Sequence, residues 1–120
     1  MIGLFFQFLV GHALGDYVFQ RDIMATAKCR HAKIHTTAGS GFPGWYYWLG
    51  AHALVHGGLI FLITGNWVLG AIETTLHFVI DYIKCEHWIS LNIDQLLHVL
   101  CKIGYVFVIY MGYASYQSLV

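Results

Sequence analysis

Residues 45–64 read WYYWLGAHALVHGGLIFLIT, with His52 and His56 four residues apart inside an apolar run. A helix needs about 17–25 such residues to cross a bilayer. Working outward, comparable runs fall at about 2–20, 67–84 and 93–114. The pattern predicts an all-α polytopic membrane protein, with four transmembrane helices in a single domain over residues 1–120. Composition points the same way. Of the 120 residues 10% are charged, where a soluble domain carries roughly 25%. The chain is 58% hydrophobic and 17% aromatic, with a mean hydropathy of +0.64. Those values exclude a disordered chain, a collagen, a disulfide knot and an ordinary soluble domain. Six Lys and Arg against six Asp and Glu leave no basic face large enough for nucleic acid. The start of the chain lacks the basic segment of a cleaved signal, so it is read as a retained membrane helix.

Four of the six basic residues, Arg21, Lys28, Arg30 and Lys33, lie in the first linker, and Lys84 borders the third. By the positive-inside rule both linkers face the cytoplasm. The expectation is a multi-pass protein of the inner (cytoplasmic) membrane with both termini outside. Trp45 to Trp48 then form an inner aromatic belt, and Trp67, Tyr110, Tyr113 and Tyr116 an outer one. Cys29, Cys85 and Cys101 are odd in number and widely spaced, which predicts free thiols, with Cys85 and Cys101 as packing residues.

The chemistry lies in the ionisable residues of the spans. Span one has His12-x3-Asp16, span two His52-x3-His56, span three His77-x3-Asp81 and span four Asp94-x3-His98. A spacing of four rises about 6 Å and turns about 40°, so each pair faces one direction. Spans one and three end at the linker side and spans two and four begin there, which puts all eight residues at one shallow depth. Residues 11–19, GHALGDYVF, align with 76–84, LHFVIDYIK. The bundle then consists of two pseudo-repeated helical hairpins related by an axis along the membrane normal. Glu73 and Lys102 each lie about 12 Å deeper than a layer residue, at matching depth, and should pair.

Five imidazoles and three carboxylates suit one or two divalent transition metals, zinc first, with manganese or iron as alternatives. The candidate ligands are His12, Asp16, His52, His56, His77, Asp81, Asp94 and His98. Two metals bridged by a carboxylate would activate water and neutralise a phosphoryl or acyl oxyanion. Asp16 or Asp81 would act as general base if not a ligand. The competing reading is a layer of mutually hydrogen-bonded polar residues that glues the helices. Haem fits poorly, since paired haems need histidines at two depths. Cys29, His31 and His35 lack a fourth ligand and read as a solvated loop rather than a second zinc site. Arg21, Lys28 and Lys84 either serve as topogenic charge alone or hold a phosphate or other anion over the layer.

In motif order the chain resembles the small bacterial and phage membrane proteins grouped as domain of unknown function 3307. HALGDYVFQ with Lys28, HALVH, HFVIDYIK and DQLLH carry the likeness, over about residues 5–102. It adds Gln20 and Gln95 to the polar residues beside the layer, and leaves the tail beyond Lys102 as a plain anchor. A weaker likeness to integral-membrane metal-dependent hydrolases implies a hydrolase acting on a phosphorylated or lipidic substrate. The alternatives are a metal or proton transporter, disfavoured by the apolar outer half, and a phage-type structural or interaction protein. The lipid bilayer is the expected partner, and a homo-oligomer stays open.

Overall fold

The computed structural model describes residues 1–117, and among them every regular element is helical. Helix α1 (Ile2–Ala13) runs into a π-helical turn (Leu14–Val18). Two short helices, α2 (Asp22–Ala27) and α3 (Ile34–Thr37), occupy the first linker. Helices α4 (Trp45–Thr64), α5 (Trp67–Cys85) and α6 (Leu91–Tyr110) follow.

Local chemistry sets the turns. Gly65 adopts φ 66°, the left-handed conformation that ends α4 and that a glycine takes without a Cβ penalty. Asn66 then caps α5 by accepting from the amides of Val68 and Leu69, and Ser90 caps α6 by accepting from Ile93. Gly112, at φ 77°, stops α6 short of the expected residue 114. Helices α4 and α5 form the closest pair because both present glycine. A Cβ on Gly57 would lie 2.5 Å from the carbonyl oxygen of Gly70, and one on Gly70 would lie 2.8 Å from that of Gly57. Helix α1 packs on α4 and α6, and α5 also packs on α6, closing a four-helix ring. The tightest hairpin therefore joins the two halves of the sequence repeat instead of lying within one half.

The ring is inverted relative to a soluble bundle. On α6 the buried residues are Asp94, His98, Lys102 and Tyr105, whereas Leu96, Leu100, Ile103 and Phe107 are exposed. On α1, α4 and α5 the histidines likewise point inward, and Phe6, Val10, Leu54, Phe61 and Val79 point outward. Exposed apolar rims of that extent are better solvated by a bilayer than by water. Helices α4 and α6 are long and apolar enough to cross a membrane, while Ile2–Val18 is shorter. Helix α5 falls outside that test, and it carries Glu73, Asp81 and Lys84. At the end away from the histidines, Phe8, Ile60, Ile63, Leu69 and Tyr105 make the apolar core.

One expectation about the linkers is overturned. Cys29 and Cys85 form a disulfide, with Cα atoms 5.1 Å apart, and only Cys101 keeps a free thiol. The folding of α2 back against the bundle brings residue 29 to the end of α5, a juxtaposition that sequence spacing does not encode. Beside it Arg30 donates from Nε and Nη2 to the two carboxylate oxygens of Glu86 at 2.6 and 2.7 Å. Those bonds hold the Glu86 carboxyl below its ordinary range and raise the guanidinium of Arg30. His31 lies 3.3 Å from Glu86 and His35 lies 2.8 Å from the carbonyl oxygen of Ala27, so Cys29, His31 and His35 do not gather as ligands.

Candidate metal centre

All eight residues of the predicted layer converge between the four long helices. Asp16, His52, His56 and His77 form one group, His12, His77 and His98 a second, and Asp81, Asp94 and His98 a third, with ligand atoms in each group within 4.8 Å of one another. Apart from Asp16, with a side chain 10% exposed, all eight are buried.

The first group has the spacing of a coordination shell. Asp16 Oδ1 lies 3.1 Å from His56 Nε2, 3.3 Å from His52 Nε2 and 3.8 Å from His77 Nε2. His52 and His77 bring their Nε2 atoms to 3.1 Å. Tetrahedral ligands at zinc–nitrogen distance sit about 3.3 Å apart. Asp16 Oδ1 and His56 Nε2 are also both buried without an aligned hydrogen-bond partner, as are Asp94 Oδ1, His98 Nε2 and His12 Nδ1. Buried polar atoms are normally paired, so two unpaired acceptor-capable atoms in the first group, Asp16 Oδ1 and His56 Nε2, fit a bound cation.

Charge agrees. Asp81 is held by Lys28, whose Nζ donates to Oδ2 at 2.5 Å, and Asp94 Oδ2 lies 3.9 Å from Lys84 Nζ. Asp16 meets imidazoles and the Gln95 amide, which donates to Oδ2 at 3.0 Å. Three carboxylates face two ammonium groups, and Asp16 is the carboxylate without an ammonium partner. An uncompensated anion in an apolar bundle is costly, and a divalent cation offsets it.

Local structure explains the placement of Asp16. The π turn, closed by the Phe19 amide on the Leu14 carbonyl at 2.8 Å, widens the helix at Asp16. Such one-turn expansions recur at functional positions. Gly15, inside the same turn, leaves room for His56, since a Cβ there would lie 2.3–2.9 Å from its ring atoms. Gly15→Ala should therefore displace His56 and weaken metal binding by about 10-fold or more with the helical circular dichroism retained. A zinc affinity equal to that of the wild type would show that His56 is not a ligand.

The polar residues expected beside the layer are mostly there. Gln20, Lys28, Lys84 and Gln95, with Asp16, line a cleft of about 100 Å³ that opens between Tyr17 and Leu91. Arg21 remains exposed outside it. Lys28 differs from expectation, because it is buried and committed to Asp81 and to Gln20 Oε1 at 2.6 Å. Gln20 in turn donates to the Asp16 carbonyl at 3.1 Å, and Gln95 donates to Asp94 Oδ2 at 3.1 Å while its Oε1 faces His12 Nε2 at 3.2 Å. Below the layer Lys102 is ion-paired with Glu73, as expected from depth. Tyr105 donates to the other Glu73 oxygen at 2.8 Å, a contact the sequence reading missed although Tyr105 is three residues beyond Lys102 on the same helical face.

These features, an inverted four-helix ring with a His/Asp cluster near one end, define the class of protein. The chain belongs to the family described as protein of unknown function (DUF3307), which matches residues 4–120. No curated protein and no solved structure matches it.

Proposed function

We propose that this protein is an integral membrane metal-dependent hydrolase whose ion is held by Asp16, His52, His56 and His77. The observation that carries the reading is Asp16 Oδ1, buried without an aligned hydrogen bond among three imidazole nitrogens at coordination spacing. Asp81, Asp94, His98 and His12 complete the cluster, either around a second ion or as proton acceptors beside the first. Zinc is the best match to the ligand set, with manganese or iron next. A divalent ion there supplies an activated water and polarises a phosphoryl or acyl oxygen. The cleft is the route in. Lys84 at its rim and the amides of Gln20 and Gln95 suit a phosphorylated or ester headgroup, and Tyr17 and Leu91 border it with lipid-facing surface. Asp81, with Oδ2 bonded to Lys28 and Oδ1 3.5 Å from His98 Nε2, would serve as proton acceptor through Oδ1 if it is not itself a ligand.

In this reading α1 with its π turn and α5 also cross the membrane, giving four spans built from two half-repeats. Glu73 and Asp81 are buried inside the ring and Lys84 lies in the last turn of α5, which supports α5 as a span despite its composition. The reading is tested by incubating zinc-loaded protein with phosphomonoester, phosphodiester and carboxylester lipids. Turnover that chelation abolishes supports it, and a stoichiometric metal with no turnover of any ester class contradicts it.

By the positive-inside rule the basic linker supports a cleft on the cytoplasmic side of an inner membrane, with both termini outside. Disulfides in that compartment are transient, so thiol labelling in intact cells should find Cys29 and Cys85 reduced, and aerobically purified protein should carry the bond. A bond complete in cells would reverse the topology. Reporter fusions at Ser40 and Asn66 give the independent check.

A further inference from the structure

We infer that Glu73 is a positioning residue for His77 and, through it, for the bound ion; this rests on the metal reading above. His77 turns Nε2 toward His52 at 3.1 Å and toward Asp16 and Asp81, each at 3.8 Å. Its other nitrogen, Nδ1, lies 3.4 Å from Glu73 Oε1, one helical turn away on α5, a close approach without an aligned hydrogen bond. A neutral imidazole offers a lone pair at only one nitrogen, and the proton must reside on the other. A carboxylate beside Nδ1 draws the proton there and leaves Nε2 as the acceptor that a metal requires. Histidine ligands of metals almost always have such a partner on the nitrogen that does not ligate.

The surroundings of Glu73 are built to keep it anionic and aimed. It is 1% exposed, and both of its oxygens are engaged by α6, Oε1 by the Lys102 ammonium and Oε2 by the Tyr105 hydroxyl. Lys102 cancels its charge locally, so the pair adds nothing to the net charge of the cluster above. A buried pair serving only to hold α5 against α6 has no advantage over two apolar side chains of the same volume. Contact with a central histidine gives the pair a use. Glu73, Lys102 and Tyr105 thus form an outer layer of the centre, and α6 acts on a ligand carried by α5.

The test compares zinc affinity and the visible spectrum of the cobalt(II)-substituted protein for the wild type, Glu73→Gln and Glu73→Gln/Lys102→Met, all purified in detergent. The double variant removes both charges together, so it remains informative if Glu73→Gln alone fails to fold. Both should bind zinc about 10–100-fold more weakly, with an altered cobalt spectrum and, in the double variant, wild-type helicity. A double variant with wild-type zinc affinity and an unchanged cobalt spectrum overturns the positioning role and leaves the metal centre intact. Absence of zinc binding by the wild type overturns both.

Discussion

Lys102→Met lowers the stability of the bundle by about 3–5 kcal/mol, the usual cost of breaking a buried ion pair from one side. Glu73 would be left as a buried anion held only by the Tyr105 hydroxyl and the edge of His77, with no water to solvate it. The measurement is a denaturant titration in detergent followed by circular dichroism. Adding Glu73→Gln to Lys102→Met should recover most of the loss, because the pair then disappears as a unit. A single variant as stable as the wild type would mean that Lys102 does not neutralise Glu73 in the folded protein.

Asp16→Asn has the second large effect, and it is on binding rather than folding. The amide keeps the shape of the carboxylate, and Gln95 can still bond to its oxygen. It removes the only anion of the cluster without an ammonium partner. Metal affinity should fall by more than the about 10–100-fold that loss of an outer partner costs. Stability of the metal-free protein should stay the same or rise, since a mostly buried carboxylate without an ammonium partner is gone. Retention of stoichiometric metal in Asp16→Asn would move the ion to the Asp81, Asp94 and His98 group. If the layer is only polar glue, the variant changes nothing that a metal assay reads.

What the sequence made legible follows the rigid geometry of helices. The i, i+4 pairs and the alternating direction of the helices were sufficient to gather eight residues, and eight-residue offsets paired Glu73 with Lys102 across α5 and α6. What depended on irregular chain was not legible. The linker between α1 and α4 carries Lys28 onto Asp81 and Cys29 onto Cys85, and no periodicity announces where a 3- or 4-residue turn will point. Helix ends were misjudged for a related reason. Hydropathy continues through residues 111–114, but the positive φ of Gly112 ends the helix at Tyr110. The π turn at Asp16 was equally silent, since Leu14–Val18 reads as an ordinary continuation of the apolar run. The repeat was visible as sequence, yet the glycines at 57 and 70 make the closest packing run across its boundary.

The central claim is that Asp16, His52, His56 and His77 hold an ion, and elemental analysis of wild-type protein purified in detergent without chelators tests it most directly. The account predicts about one or more equivalents of a divalent transition metal per chain, lost on dialysis against chelator and regained on adding zinc. Protein that is fully helical, free of metal as isolated and unable to take up zinc, manganese or iron would contradict it.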